Sequence, residues 1–301
     1  MKKLFLLLSI SLVYISCEKV IPFEGDVNIP KLVINSIFQS DSTFKVHVSS
    51  SRSVIDTASF QNIEDAVVTI KDDNGSIIET LNYEENGFYV GQTFPQENQT
   101  YNLEVTHSNY PNVTSSDSLP SPITINSIDT STTVDPINGD RLQITLDFED
   151  PVSAQNYYLI ETYSVNEYLV IKNSDTTEYE LDTTKQFMVL TDEVFQNGGS
   201  PWREQGLFND LLFNGQNKAL ELEIPFDNWS GSEDGFEWSY KTLSVRIYLH
   251  NISKSYYYYR TSLELYQNAS GNPFAQPVQV YSNIENGFGV FAGSQISYFD
   301  L

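Results

Sequence analysis

The chain has 301 residues and a formal net charge of −24, with 40 acidic side chains against 16 lysines and arginines. Such an acidic surface repels nucleic-acid phosphates and anionic lipid headgroups, which excludes a nucleic-acid-binding protein and a body that lies on an anionic membrane. Hydrophobic residues make up 40% of the chain and aromatic residues 13%, enough for a folded core, which excludes a disordered protein.

The first seventeen residues have the pattern of an export signal. Two lysines follow the initiator Met, an apolar run extends from Leu4 to Ile15, and Cys17 is the only cysteine of the chain. The run is shorter than the roughly 20 residues that a helix needs to span a bilayer, which favours a leader over a transmembrane anchor. Tyr14-Ile15-Ser16-Cys17 resembles a bacterial lipobox. We therefore predict a signal peptide over residues 1–16 and lipid attachment at Cys17; the alternative is a chance cysteine at the end of an ordinary signal.

Residues 17–30 comprise the predicted lipidated cysteine and the residues that follow it, among them Pro22, Gly25 and Pro30. These residue types interrupt helices and strands, so we expect an extended tether between the lipid and the first folded segment.

Residues 31–110 alternate between apolar and polar side chains in several short runs, the pattern of half-buried strands. Asp73-Asn74-Gly75 and Asn86-Gly87 lie between such runs and predict tight turns, because both residue types tolerate positive φ. Five or six short strands are expected, within the runs Lys31–Phe38, Phe44–Val48, Asp65–Ile70, Ile77–Leu81, Phe88–Val90 and Tyr101–Val105. This number and spacing predict a small β-sandwich of the immunoglobulin-like or transthyretin-like kind. Residues 111–122 are rich in Ser and Pro, and we predict a linker there.

Residues 123–301 predict a larger, β-sandwich-like domain with one helix. Strands are expected at Leu142–Phe148, Tyr157–Val165, Leu220–Ile224, Leu243–Leu249, Pro277–Tyr281, Gly287–Ala292 and Ile296–Phe299. The segment from Asn166 to Tyr240 is otherwise predicted to be an irregular insert. Ser253 is a suitable N-cap for a helix over residues 253–268. Spacings of three and four residues predict that one stripe packs on a sheet: Tyr256, Tyr259, Leu263 and Tyr266.

Catalytic and metal-binding patterns are weak in this sequence. His47, His107 and His250 are far apart in the chain, and no familiar nucleophile or zinc motif occurs. Acidic clusters at residues 147–150 and 233–237 allow a calcium site or a carboxylate pair, but such clusters are also expected by chance in so acidic a chain. We therefore expect a protein that is not an enzyme and that uses no cofactor and no metal.

The irregular insert contains the best candidates for contact with a ligand or a partner. Trp202, Trp229 and Trp238 are candidates for exposed binding aromatics. Phe208 belongs to an apolar stretch that reads either as an exposed partner loop or as a plug of the core.

Several motifs together resemble a known family. They are Phe208-Asn209-Asp210 leading to Phe213-Asn214-Gly215-Gln216, the tyrosine helix, Gly271-Asn272-Pro273-Phe274, and the closing Ser282-Asn283-Ile284 with Gly287-Phe288-Gly289-Val290-Phe291. The chain resembles the Bacteroidota outer-membrane lipoproteins grouped as domain of unknown function 4249. The resemblance implies a two-part β-rich lipoprotein that faces the cell surface. Because members are commonly encoded beside TonB-dependent receptors, it also implies an outer-membrane β-barrel as the partner.

These observations lead to one expected function and one alternative. We expect a surface-exposed, lipid-anchored accessory or scaffold subunit of an outer-membrane barrel complex, either a TonB-dependent transporter or related assembly or transport machinery. The alternative is a stand-alone surface lipoprotein that binds a glycan or a peptide.

Overall fold

The computed structural model describes residues 29–53, 60–135, 139–152, 154–173, 176–195, 201–225, 228–233, 236–270, 272 and 274–301. The predicted signal, Cys17 and most of the predicted tether lie outside the described residues. Within the described ranges, no helix combines the length and the apolar character needed to cross a membrane.

The fold is mainly β, as the sequence predicts. The first eight strands are β1 (Leu32–Phe38), β2 (Lys45–Ser50), β3 (Val67–Lys71), β4 (Ile77–Thr80), β5 (Asn82–Tyr83), β6 (Phe88–Val90), β7 (Thr100–His107) and β8 (Tyr110–Ser118). The remaining strands are β9 (Ile125–Asp135), β10 (Gly139–Glu149), β11 (Tyr157–Asn173), β12 (Thr176–Lys185), β13 (Met188–Val189), β14 (Trp202–Arg203), β15 (Gln205–Asn209), β16 (Asn217–Pro225), β17 (Asn228–Glu233), β18 (Phe236–Ile252) and β19 (Phe288–Asp300). Within the described residues, one α-helix, α1, spans Lys254–Ala269.

Three sheets build two sandwiches that share one sheet. Along the shared, ten-stranded sheet the order is β12-β11-β18-β19-β1-β2-β6-β5, with β15 also on β11 and β17 also on β18. The four-stranded sheet β4-β3-β7-β8 and the shared sheet enclose a first core, and the five-stranded sheet β14-β13-β16-β10-β9 and the shared sheet enclose a second. The sandwich character predicted from strand number and turn spacing is therefore present in both halves.

The two predicted turns of the first half are confirmed. β3 and β4 form an antiparallel hairpin around Asp73-Asn74-Gly75, and Gly75 has φ +81°. The carboxylate of Asp72 accepts hydrogen bonds from the backbone N–H of Asn74 at 2.9 Å and of Ser76 at 2.8 Å, which fixes the turn. Asn86 and Gly87 both have positive φ directly before β6.

A parallel pairing between β1 and β19 joins the halves, with Ile34 opposite Gly289. Gly289 has φ +101°, and a Cβ at this position would lie 1.9 Å from the carbonyl oxygen of Ile34. Only glycine allows the two backbones to approach so closely. The Asn283 side chain supports β19, because its Nδ2 donates to the Phe291 oxygen at 2.7 Å and its Oδ1 accepts from the Phe291 N–H at 3.1 Å. The closing motifs of the sequence are thus structural.

A buried carboxylate also lies at this junction. Asp117 of β8 accepts hydrogen bonds from the Ser253 hydroxyl, from the Ser118 N–H at 2.9 Å and from the Gly293 N–H at 3.4 Å. Burial raises the pKa of Asp117 to about 6, although these hydrogen bonds act in the opposite direction. Asp117 therefore connects β8, β19 and the start of α1 through one ionisable group.

Three expectations about secondary structure were wrong. Most of the predicted linker lies in β8. Ser115 of this strand faces inward, and its hydroxyl donates to the Asn283 oxygen at 2.9 Å. Because this buried residue is polar, the strand lacks the alternation of apolar and polar residues that would predict it. The predicted irregular insert contains β12 to β17 and the start of β18. No strand forms over Pro277–Tyr281, where the Tyr281 N–H donates to the Ser262 hydroxyl of α1 at 2.8 Å instead of to a neighbouring strand.

Candidate functional site: a cleft beneath helix α1

Helix α1 begins where the sequence predicts. Ser253 is the N-cap, and its hydroxyl accepts the backbone N–H of Tyr256 at 3.2 Å. The helix packs on the ten-stranded sheet through Tyr257, whose ring centroid is 4.8 Å from that of Tyr157. Since Tyr158, next in sequence, points into the second core, α1 covers the opposite face of the sheet.

The predicted contact stripe of α1 was only partly right. Tyr257 is the buried tyrosine of the helix, and Tyr256 is partly buried beside it. Tyr266 is exposed. Tyr257 is buried in the first turn of the helix, while Tyr256 and residues of the later turns line an open space.

This space is a cleft of about 690 Å³ between α1 and the sheet. Its volume lies in the range of small-molecule sites, roughly 300–1,000 Å³. The residues that line it come from α1, β1 and β19, from the ends of β12 and β14, and from the start of β15. They include Asn35, Lys185, Arg203, Gln205, Tyr256, Tyr259, Arg260 and Gln267.

Arg260 is the central polar group of the cleft. Its Nη1 donates to the Tyr256 hydroxyl at 2.9 Å, and its Nη2 donates to the Gln205 Oε1. The guanidinium carbon lies 5.6 Å from the centroid of the Tyr256 ring. These contacts fix the planar guanidinium between helix and sheet, where its remaining N–H groups can orient a ligand.

A charged network supports the floor of the cleft. Lys185 Nζ donates to Glu161 Oε1 at 2.6 Å, and the other oxygen of Glu161 lies 3.8 Å from His250 Nε2. Burial lowers the pKa of His250 to about 4, an effect that the nearby Glu161 opposes, so the imidazole is neutral at pH 7. Its Nε2 is buried without a hydrogen-bond partner, while Nδ1 lies 3.3 Å from the Ser294 hydroxyl.

The side chains of the cleft are suited to holding a ligand. Glu161 is already paired with Lys185, and 3.8 Å is too long for a hydrogen bond between Glu161 and His250. The groups that line the opening include guanidinium, amide and tyrosine side chains and the carboxylates of Glu204 and Glu264. Such groups hold ligands by hydrogen bonds, ion pairs and ring contacts. Burial also raises the pKa of Tyr259, so its hydroxyl stays protonated and can donate.

The structure separates the candidate binding aromatics. Trp202 is partly exposed in β14, with the Arg141 guanidinium carbon 5.0 Å from its ring centroid, and it precedes Arg203 of the cleft. Trp229 in β17 and Trp238 in β18 lie on paired strands, but their side chains lie outside the described residues. Phe208 is buried in the second core. For this residue the interpretation as part of the core is correct, and the interpretation as an exposed partner loop is wrong.

The first acidic cluster includes a structural carboxylate. Asp150 is buried and accepts hydrogen bonds from the Tyr158 hydroxyl and from the Gly215 N–H, the latter at 2.8 Å. Burial, reinforced by Asp150, raises the pKa of Tyr158 far above its usual value. The side chains of residues 233–237 lie outside the described part of the chain.

The histidines do not come together in space. His47 contacts Asn62, His107 contacts Asp65, and His250 lies beside the cleft. Among the described residues, no group of three or more His, Cys, Asp or Glu side chains could hold a metal ion.

Sequence reasoning did not identify this cleft. Asn35, Lys185, Gln205 and Arg260 are separated by many residues, and none belongs to a recognisable motif. The tyrosine-rich helix was the one local signal, and it was interpreted as a packing element.

Comparisons with known proteins identify a family for the chain but no activity. The family model described as Domain of unknown function (DUF4249) matches residues 18–298. None of the curated proteins compared with the chain matches it. A solved structure titled "Biofilm associated protein - BSP domain" is 9% identical with a TM-score of 0.20, and the alignment covers 78% of this chain and 59% of that one. The chain thus spans less than two thirds of that protein's length, and no conclusion about fold or function follows from so low a similarity.

Proposed function

The chain belongs to the DUF4249 family, and from that premise we propose that it is a surface-exposed outer-membrane lipoprotein. In this proposal it is a non-enzymatic accessory or scaffold subunit of an outer-membrane barrel complex, such as a TonB-dependent transporter or related machinery. Cys17 carries the lipid, and the residues before β1 tether the folded body to the membrane.

The cleft beneath α1 is the observation that carries the binding part of this proposal. It has the volume of a ligand site, and Arg260 is oriented in it by Tyr256 and Gln205. Beside it, Lys185 is paired with Glu161, and His250 is neutral at pH 7. We propose that this cleft captures a solute for delivery to the barrel.

The charge of the chain supports a partner that is a protein rather than a lipid surface. A net charge of −24 disfavours close approach to anionic headgroups. Large exposed side chains on α1 and the following segment offer an apolar surface: Tyr258, Leu265, Tyr266, Phe274 and Tyr281. Exposed apolar patches of this kind are typical of protein–protein contact sites.

Copurification from the native membrane tests the accessory role. The tagged full-length protein is isolated from detergent-solubilised outer membranes, and the bound proteins are identified and quantified by mass spectrometry. We expect one barrel protein in stoichiometric amount. A Cys17→Ala variant, which cannot be lipidated, serves as the control for association at the membrane. Recovery of the lipidated protein alone would refute the accessory role.

A second candidate function is favoured by the chemistry of the cleft. Tyrosine rings next to arginine and amide groups suit the faces and hydroxyls of sugars, so a stand-alone glycan-binding lipoprotein remains the alternative proposal, with a peptide as the other ligand class. A panel of soluble oligosaccharides and peptides is titrated against the purified protein. Binding that is lost in Arg260→Ala and Tyr259→Ala but kept in Trp202→Ala would locate the ligand in the cleft. No binding by the wild type would count against this alternative.

A further inference from the structure

A short loop after β15 exposes two leucines at its tip. We call residues 209–216 the leucine loop. Leu211 is 72% exposed and Leu212 is 58% exposed. Val152, which is 78% exposed, lies beside the loop, since a Cβ built on Gly215 would come within 2.9 Å of its Cγ2 atom. Three large aliphatic side chains therefore face solvent on two adjacent turns.

The leucine loop is firmly held at both ends. Phe208 and Phe213, which flank the two leucines, are buried in the second core. The Leu211 N–H donates to Asn209 Oδ1 at 3.1 Å, and the Phe213 N–H donates to the Asp210 oxygen at 2.8 Å. The tip is therefore a defined turn rather than an extended segment that lies on the surface.

Buried carboxylates fix the same loop to the neighbouring turn. Asp210 is fully buried, and its Oδ2 accepts the Asn156 N–H at 2.7 Å. Asp150 accepts the Gly215 N–H at 2.8 Å through its Oδ2, and its own N–H donates to the Gln216 oxygen at 3.1 Å.

These contacts determine the shape of the loop without the leucines. The hydrogen bonds use backbone groups and the side chains of Asn209, Asp210 and Asp150, and the buried anchors are phenylalanines. The same turn would form with polar side chains at positions 211 and 212, and these side chains would be better solvated than leucines. A rigid turn that presents two apolar side chains to solvent is typical of a contact site.

Strand register shows which end of the molecule the loop faces. Five positions on neighbouring strands lie in one row across the sheet from β1 to β15. In this row each position is opposite the next, or one residue away from being so: Phe38, Gly293, Ile252, Tyr157 and Asn209. β1 and β15 run in opposite directions, and both end at this row. The chain that leaves β15 therefore continues toward the end of the sheet at which β1 begins, and the predicted tether enters at that end.

We propose that the leucine loop docks into an apolar pocket of a membrane-embedded protein, in addition to the lipid anchor. This inference rests on the proposed lipid anchoring and barrel partner, because these place the end of the sheet where β1 begins on the membrane side. The net charge of −24 disfavours an anionic lipid surface as the occupant, and an uncharged protein pocket has no such penalty. The loop thus supplies the specific contact, and the lipid supplies only proximity.

The test compares two double variants of the full-length lipidated protein. L211S/L212S removes the leucines of the loop, and L181S/L243S removes two exposed leucines on β12 and β18. Each tagged variant is isolated from solubilised outer membranes, and the barrel protein recovered with the wild type is quantified. We expect at least a tenfold loss with L211S/L212S and no loss with L181S/L243S, with unchanged urea midpoints for both.

The outcomes separate this inference from the function on which it rests. If the wild type recovers a barrel protein and L211S/L212S recovers as much, the accessory role stands and the leucine loop is not its contact. If the wild type recovers no partner, both proposals fail. The Cys17→Ala protein is also floated with phosphatidylcholine vesicles and with phosphatidylglycerol vesicles. Flotation that depends on Leu211 and Leu212 would identify lipid as the occupant and overturn the proposal.

Discussion

Replacing Gly289 by alanine should damage the junction between the two sandwiches far more than the same change in an exposed turn. Gly289 of β19 has φ +101° and lies opposite Ile34 in the parallel pairing with β1. Gly75, in the β3–β4 turn, has a similar φ of +81°, but a Cβ there meets no atom within 4 Å. The two substitutions share the backbone strain and differ only in the space around the added methyl group.

The magnitudes follow from this comparison. A Cβ at positive φ costs roughly 1–2 kcal/mol, and the stiffer unfolded chain offsets about 0.4–1 kcal/mol of that cost. Gly75→Ala should therefore lower the free energy of unfolding by about 1 kcal/mol. At Gly289 the new Cβ would lie 1.9 Å from the Ile34 oxygen and 2.8 Å from its carbonyl carbon, so the strands must separate. Overpacking adds about 1–3 kcal/mol to the strain of about 1 kcal/mol, so the total loss should be about 2–4 kcal/mol.

Urea unfolding followed by far-ultraviolet circular dichroism measures both losses, because every strand contributes to the signal. The wild type, Gly75→Ala and Gly289→Ala are compared as the chain without the residues before Glu18. The midpoint should shift strongly for Gly289→Ala and weakly for Gly75→Ala at an unchanged m value. Equal shifts would show that backbone strain alone matters and that the close approach at Ile34 is unimportant.

Three further predictions address pH, anchoring and the core. Burial raises the pKa of Asp117 to about 6, so this group lowers the free energy of unfolding as pH rises from about 4 to 6. Burial lowers the pKa of His250 to about 4, so this group raises the free energy of unfolding as pH rises from about 4 to 6.5. Relative to the wild type, Asp117→Asn should lose stability on acidification across this window and His250→Gln should gain it, by about 2–3 kcal/mol each; parallel pH profiles from urea titrations would contradict this. Cys17→Ala should release the protein from the membrane fraction, and absence of radiolabelled palmitate from the wild type would disprove lipidation at this residue. Phe208→Ala should cost about 3–5 kcal/mol in the same urea assay because Phe208 is buried among Phe148, Tyr158 and Phe213, and a loss below 1 kcal/mol would show that it is not a core residue.

The parts of the fold that could be predicted from sequence are those with local causes. Alternation of apolar residues located β1, β7, β10 and β16, because one face of each of these strands is buried. The Asp73-Asn74-Gly75 hairpin and the Ser253 cap were also predicted correctly, since each depends on the preferences of a few adjacent residues.

The errors have identifiable physical reasons. β8 presents Ser115 to the interior, and its strand character comes from pairing with β7 rather than from apolar alternation. Among the described strands β12 pairs with β11 alone, and it exposes Tyr179 and Leu181, so no burial pattern marks it. The segment 277–281 has β-forming residues, but α1 supplies its hydrogen-bond partner. Tertiary context determined the outcome in all three segments.

Local sequence patterns could not predict the cleft, because it also depends on tertiary structure. Its walls depend on the order of strands in the ten-stranded sheet, and that order places β1 beside β19 although about 250 residues separate them in the chain. Neither strand carries a signal that specifies a parallel partner. The glycines of the closing motif permit a close approach of two backbones, but they do not specify which strand approaches.

β19 links the stability of the protein to the geometry of its cleft. Phe291 packs in the first core, Val290 lines the cleft beside α1, and the Gly293 N–H contacts Asp117 at the junction. Successive residues of a strand face opposite sides of a sheet, so a shift of β19 moves the core and the cleft together. The strand separation expected for Gly289→Ala should therefore weaken ligand binding as well as folding, whereas Phe208→Ala, whose side chain lies in the second core, should mainly affect folding. A ligand that binds the cleft should in turn stabilise the pairing of β1 with β19, because binding to the folded state alone raises the free energy of unfolding.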